Sequence, residues 1–335
     1  MKSRLDYAEI YITNVCNYSC SHCQSLNNFA FKGHQKWHDY KEEYDKLSKK
    51  IDIDIIQIIG GEPTLNPDLE KWLEGISNLW PQTKLQISTN GSRLDKISPK
   101  IYEILARHKG TLWITCHDIN LYNNFFQFTK EWLCEIVYEY PAETFETNWE
   151  YTYNLFKEDN WPDCSRIEDY DKLPQNIKKQ FVEKIRSDTE HPKTSSIIYI
   201  DKNSVEIRLD WSQSFVSSVI DIIDKYRLVL KNNSDPQEAH NNCYFKSCHQ
   251  INKGKVYKCP LVSVLPDFLK QFDVVMRDED RNLALNYQPM TSNYSNIQAK
   301  KFVEDIDKPI PQCKFCPSKY AKHNFVGSDK KNTSL

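Results

Sequence analysis

Between Tyr7 and Cys116 the apolar positions switch between two periods. Tyr7–Thr13 alternates apolar and polar residues, which predicts a strand, and Ile51–Ile59 is a near-continuous β-branched run, as a strand buried on both faces requires. Pro67–Leu79 has helical spacing behind Asn66, a good N-cap residue. Lys84–Ser88 reads as a short strand, Ser98–His108 as a helix closed by Gly110, Thr111–Cys116 as a strand and Phe125–Tyr138 as a helix. Strands alternating with helices of this length predict parallel β/α units, with functional loops at the C-terminal strand ends.

The rhythm blurs between residues 140 and 195 and returns at Ile197–Ile200 and Val205–Leu209, whose intervening Asp201-Lys202-Asn203-Ser204 predicts a hairpin. Along the second of these strands Val205, Ile207 and Leu209 point one way and Glu206, Arg208 and Asp210 the other. A charged face on such a strand is either a solvent-exposed edge or the lining of a polar lumen. After residue 215 the strand–helix rhythm stops and a cysteine-bearing segment begins, so two regions are expected, 1–215 and 216–335.

The chain has 335 residues, 39% hydrophobic and 27% charged, enough apolar matter for a sizeable core. The net charge of −2 gives no general electrostatic reason to hold nucleic acid or an anionic membrane. The 8 Trp, 19 Tyr and 15 Phe, lacking a basic stripe, read as core packing and not as a base-stacking platform. No apolar run approaches the roughly 18 residues of a membrane span, and Met1–Thr13 lacks the apolar stretch of a signal peptide, so a cytoplasmic location is expected. Thiols there stay reduced. The 11 cysteines, several of them clustered, therefore point to metal and not to disulfides.

Cys16-x3-Cys20-x2-Cys23 follows the first predicted strand. Three such thiolates can hold three irons of a 4Fe-4S cluster and leave the fourth iron for a small molecule, whereas structural zinc closes with four protein ligands. The stretch resembles the CxxxCxxC signature of the radical S-adenosylmethionine (radical SAM) enzymes, which follows the first strand of a partial (β/α)6 barrel. Gly60-Gly61-Glu62-Pro63 is similar to the family's GGE motif, which binds the methionine amino group of SAM. Ser88-Thr89-Asn90-Gly91 is similar to its ribose-contacting segment. His22 departs from the usual aromatic residue but is also flat. The resemblance implies a cluster on Cys16, Cys20 and Cys23, with SAM at Gly60, Gly61, Glu62, Ser88 and Asn90.

Cys243-x4-Cys248-x10-Cys259, with Gly254 before the last cysteine, and the later Cys313-x2-Cys316 are similar to the C-terminal twitch module, the shorter relative of the SPASM domain. That likeness implies a second, auxiliary 4Fe-4S cluster on Cys259, Cys313 and Cys316, with Cys243 or Cys248 as the fourth ligand; a structural zinc knuckle is the rival reading. Cys116, Cys134 and Cys164 read as core thiols. His117, at the end of the fourth strand, is a candidate for substrate or SAM contact, and Arg208 for holding a carboxylate or another anionic group through paired hydrogen bonds.

The expected fold is α/β, a partial (β/α)6 radical SAM barrel with a small C-terminal cysteine-rich twitch-like module. The family's chemistry would cleave SAM to a 5′-deoxyadenosyl radical, abstract hydrogen from a substrate and complete a net oxidation through the auxiliary cluster. The cluster motif begins at residue 16, with no room before it for a leader-binding domain, which favours a small polar substrate: a sugar, an aminocyclitol or a nucleotide. Maturation of a ribosomal peptide is the alternative, and a non-catalytic iron–sulfur or zinc scaffold a remote one. The expected partners are that small molecule and an electron donor such as flavodoxin or ferredoxin, with no membrane and no nucleic acid.

Overall fold

A computed structural model describes residues 2–20, 22–116, 136–141, 196–201, 205–211, 214–216, 219–223, 227–319 and 322–324. The chain enters on β1 (Ser3–Tyr11) and alternates through α1 (Trp37–Ser48), β2 (Ile51–Ile59), α2 (Leu69–Leu79), β3 (Lys84–Thr89), α3 (Pro99–Arg107) and β4 (Thr111–Cys116). Strands β5 (Ile136–Pro141), β6 (Ser196–Asp201) and β7 (Glu206–Trp211) follow, then the short β8 (Ser214–Val216), β9 (Ile220–Ile223) and β10 (Arg227–Leu230). The remainder carries α4 (Pro236–Asn241), β11 (Gln250–Asn252), β12 (Lys255–Tyr257), α5 (Pro260–Gln271), β13 (Val274–Val275), α6 (Asp278–Leu285), α7 (Asn296–Glu304) and β14 (Lys322–Asn324).

Nine of these strands form one sheet in the order β12-β11-β1-β2-β3-β4-β7-β6-β5. From β11 to β7 every neighbouring pair is parallel; β12, β6 and β5 add antiparallel margins. The fold is α/β with a mostly parallel sheet, consistent with a partial radical SAM barrel. Register explains its two faces. Ile10 pairs with Ile58 and Ile251, Ile58 with Ile87, Ile87 with Leu112, and Leu112 with Ile207. All are buried in one cluster with Tyr44 and Leu47 of α1, Trp72 and Ile76 of α2, and Ile101 and Ile104 of α3. Successive strand residues face opposite sides, so Glu9, Gln57, Gln86, Ser88, Trp113 and Arg208 share the other face.

Strands β2 and β4 match the sequence pattern, but β1 runs Ser3–Tyr11 and not Tyr7–Thr13, α1 is not expected from the pattern, and other borders differ informatively. Helix α2 starts at Leu69 and not at Pro67, and its N-cap is Asp68 and not Asn66. The Asn66 side chain is committed elsewhere: Nδ2 donates to Ile12 O (2.8 Å) and Gln35 O (3.0 Å), while Oδ1 accepts from Asp68 N (2.9 Å). Helix α3 is capped by Ser98 Oγ, which accepts from Ile101 N. Most of the helix expected over Phe125–Tyr138 lies outside the described residues, but Ile136–Tyr138 belong to a strand: Ile136 and Tyr138 pair antiparallel with Asp201 and Ile200. The hairpin around Asp201 is borne out by the antiparallel pairing of β6 with β7.

A second core joins the two ends of the chain. Tyr11 at the end of β1 and Leu26, Phe29 and Phe31 from the loop after it pack with Ile220, Leu228, Leu265, Phe268 and Phe315. Phe268 meets Phe29 and Phe31 edge-on, each at 5.5 Å between ring centres. Among the described residues no helix is long and apolar enough to cross a membrane.

Candidate active site

The cysteine loop is positioned by β2. Gly61 N donates to Thr13 O and Glu62 N to Val15 O, both at 2.8 Å, so the segment after β2 runs backbone to backbone against the start of the loop. A Cβ on Gly60 would lie 2.5 Å from Thr13 O, and one on Gly61 2.3 Å from Val15 O and 2.9 Å from Cys16 Cβ. Close approach, more than unusual dihedrals, demands glycine here. Cys16 is buried, and its sulfur accepts from Tyr18 N (3.4 Å) and Asn90 Nδ2 (3.8 Å). Burial pushes the Cys20 thiol above its ordinary range, and its neighbours Cys23 and Cys16 push it further. Burial also raises Cys23, opposed by the amides of Asn27, Ser25, Asn28 and Leu26 facing its sulfur. Three neighbouring shielded thiols, one facing backbone N–H groups, are a donor set that suits an iron–sulfur cluster. His22, between Cys20 and Cys23, takes a left-handed φ of 63° that reverses the chain.

Glu62 is fully buried and occupied. Its Oε1 accepts from Thr64 N (3.1 Å), Thr64 Oγ1 (2.6 Å) and Thr89 Oγ1 (2.6 Å); its Oε2 accepts from Asn90 N (2.7 Å). Desolvation raises its pKa and these four donors oppose the rise. The carboxylate thus ties the end of β2 to the end of β3. Asn90 continues the chain of contacts, donating to Asn17 Oδ1 (3.1 Å) as well as to Cys16. Ser88 sits two residues earlier on the inner face, paired in register with Trp113. Gly60, Gly61, Glu62, Asn90 and Cys16 are thereby brought to one end of the sheet.

Beneath that end the inner face is polar. Glu9 is buried, and desolvation pushes its carboxyl up to about 7 against bonds from Gln250 and Tyr7. Gln250 Nε2 donates to Glu9 Oε2 (3.1 Å), and the Tyr7 hydroxyl donates to Gln57 Oε1 and lies 3.3 Å from Glu9 Oε1. Farther along, Lys84 pairs with Glu206 at 2.9 Å, and the Arg208 guanidinium lies 4.1 Å over the Trp113 ring. Arg208 therefore shares the inner face with these groups. His117, Cys134 and Cys164 lie outside the described residues, as does the side chain of Cys116. Nothing in the sequence sets Glu9 apart; alternation with Tyr7 and Tyr11 is the one signal that places it on the inner face.

The C-terminal cysteines separate into two environments. Cys243, Cys259, Cys313 and Cys316 line one cavity, together with His240 and Lys258. Cys259 caps the N-terminus of α5; burial pushes its thiol up to about 12, opposed by the amides of Val262 and Leu261. Burial raises Cys313 and Cys316 as well, and Cys316 is raised further by Cys259, Cys243 and Cys313. The buried His240 Nε2 has no hydrogen-bond partner among the described residues. Cys248 does not line this cavity. Burial pushes it up to about 12, and Glu9 is its next largest influence. Among the described residues no three His, Cys, Asp or Glu side chains converge on a single-ion position.

The model of the radical SAM superfamily matches residues 10–124. The GTP 3′,8-cyclase of Nautilia profundicola is 30% identical over 100 residues, covering 29% of this chain and 31% of that protein. The GTP 3′,8-cyclase of Alkaliphilus oremlandii is 29% identical over 102 residues, covering 30% and 32%. The chain thus matches about a third of the length of these relatives. Among solved structures, Streptococcus suis SuiB bound to S-adenosylmethionine aligns at 23% identity and a TM-score of 0.28, over 37% of this chain and 28% of that one. BtrN in complex with AdoMet and 2-DOIA aligns at 20% and 0.27, over 35% and 46%. With the cysteine loop, the Gly-Gly-Glu segment and the Asn90 turn at the ends of three consecutive parallel strands, residues 10–124 form a radical SAM superfamily domain.

Proposed function

We propose that this chain is a radical SAM enzyme that oxidises a small polar molecule, of the sugar, aminocyclitol or nucleotide class. The observation that carries the substrate class is the polar inner face, with Glu9, Gln57, Gln250 and the Lys84–Glu206 pair below the cysteine loop. Most of these groups pair with one another, but the buried Gln250 Oε1 has no hydrogen-bond partner among the described residues, an acceptor that a substrate hydroxyl or N–H would satisfy and an apolar side chain would not. When bound, the cluster and SAM supply reductive cleavage and hydrogen abstraction; the protein supplies orientation and exclusion of water.

In this reading Cys16, Cys20 and Cys23 hold iron, and Gly60 and Gly61 let the loop approach β2. Glu62 fixes the two strand ends, and its Oε2, with one bond from Asn90, retains acceptor capacity for the SAM ammonium. Ser88 and Asn90 face the ribose, Arg208 takes an anionic group of SAM or substrate, and His117 contacts substrate from the end of β4. Residues 1–215 serve as the barrel and 216–335 as a twitch-like module. Cys243, Cys259, Cys313 and Cys316 are assigned to an auxiliary 4Fe-4S cluster, on the strength of their shared cavity, with Cys248 left free. The partners required are the substrate and a one-electron donor of the flavodoxin or ferredoxin type.

Anaerobically reconstituted full-length protein should hold about eight irons, falling to about four when Cys16, Cys20 and Cys23 are changed to Ala. With dithionite and SAM the parent protein should form 5′-deoxyadenosine and the triple variant none. Cys243→Ala should lose auxiliary iron and Cys248→Ala keep it. Unchanged SAM cleavage in the triple variant would refute the enzymatic reading, and stoichiometric zinc at the second site would refute the auxiliary cluster.

A further inference from the structure

Lys258 is a buried cation with no carboxylate in direct contact among the described residues. Its relative exposure is 3%, and Nζ donates to the carbonyl of Ile306. Among the described residues no carboxylate forms an ion pair with it; the nearby Asp307 lies 3.4 Å from His249 Nε2, on an imidazole whose pKa burial lowers, and is itself largely exposed. The backbone of Lys258 is held on both sides, by Tyr287 Oη accepting from its N–H (3.1 Å) and by His249 Nδ1 at its carbonyl (2.9 Å). This anchoring directs the side chain to the cavity lined by Cys243, Cys259, Cys313 and Cys316.

Burying an ammonium against one neutral acceptor costs several kcal/mol unless an anion shares the site. Four neutral thiols supply no such anion. A 4Fe-4S core with four thiolate ligands does, being a dianion when oxidised and a trianion when reduced. The unbalanced lysine and the unbalanced cluster would compensate each other.

We propose that Lys258 is the fixed counter-charge of the auxiliary cluster and raises its reduction potential by favouring the more negative, reduced form. The inference rests on the assignment of the four thiols to one cluster. Net charge and burial around a cluster are recognised determinants of its potential. Lys258 acts through the cluster and is a positioning residue for charge, not a group that touches substrate.

The test uses full-length protein in which Cys16, Cys20 and Cys23 are Ala, so that a paramagnetic signal on reduction reports the second cluster alone. Lys258→Met, Lys258→Gln and Lys258→Arg are compared with this parent by iron content and by redox titration. With iron unchanged, the Met and Gln variants should need a potential at least tenfold less favourable in reduced-to-oxidised ratio, about 59 mV for one electron, and Arg should restore the parent value. An unchanged potential in the iron-loaded Met and Gln variants overturns the inference and leaves the cluster assignment standing. If Met and Gln lose the auxiliary iron and Arg keeps it, charge compensation is supported through assembly; if Arg loses it too, shape and not charge is at work and the inference fails. A parent with no second cluster defeats the assignment itself, and the inference with it.

Discussion

Glu9, on β1, and Glu62, just past the end of β2, are both buried acids, yet they differ in how the fold accommodates them. Four donors surround the Glu62 carboxylate, so its charge is well solvated by protein. Glu9 has Gln250 and Tyr7, and its carboxyl is held up to about 7 by desolvation. The consequence for stability has a definite sign. Below its unfolded value near 4.5, Glu9 is protonated in both states and exerts no penalty. As pH rises, the unfolded chain ionises first and stability falls until the folded group also titrates near 7, beyond which the loss is constant. The shift corresponds to about 3 kcal/mol. Urea titrations of wild type and Glu9→Gln at pH 5 and 7.5 should show the extra fall in wild type alone; parallel curves would contradict the assignment.

At the scale of elements, the Gly60-Gly61 turn ties the ends of β1 and β2 together through backbone contact, and the cysteine loop inherits its position from that contact. Gly61→Ala should displace Val15 and Cys16, because the new Cβ would sit 2.3 Å from Val15 O. Overpacking of this kind costs about 1–3 kcal/mol, and here the displaced group is the proposed ligand Cys16. The expected result is loss of the N-terminal cluster's iron with the C-terminal site retained, read by iron assay against the cysteine triple variant. Full iron in Gly61→Ala would show that the loop relaxes freely. The element borders obey the same logic: Asn66 was legible as a capping residue, but its side chain is drawn off to Ile12 and Gln35, carbonyls from distant parts of the chain.

The whole molecule is stitched across its length. Strand β11 pairs with β1, placing Gln250 beside Glu9 and Asn252 beside Tyr11. Gln35 donates to Asn252 Oδ1 (2.7 Å), and Lys32 exchanges hydrogen bonds with the Gln271 side chain (3.2 and 3.0 Å). The second core mixes Phe29 and Phe31 of the cysteine loop with Phe268 and Phe315. A chain cut after residue 215 would expose these rings and the β1 edge, so the fragment 1–215 should aggregate or lack a cooperative transition. Calorimetry of the intact protein should show one transition; two well-separated transitions would mean that the halves fold independently.

What the sequence determined by itself was the local layer: the β/α alternation, the near-exact span of β2 and β4, and the cysteine and glycine spacings. These depend on side-chain periodicity and on short motifs, which neighbours in the chain specify. The strand at Ile136–Tyr138 was not legible as such, because pairing with β6 overrides a helical spacing. Tertiary structure alone decided that Cys243 and not Cys248 shares the cavity of Cys259, Cys313 and Cys316. It also decided that Glu9 is buried whereas Asp6, three residues earlier on the same strand, is exposed. Both outcomes turn on β11 docking beside β1 from more than two hundred residues away, and periodicity carries no information about which distant edge a strand will join.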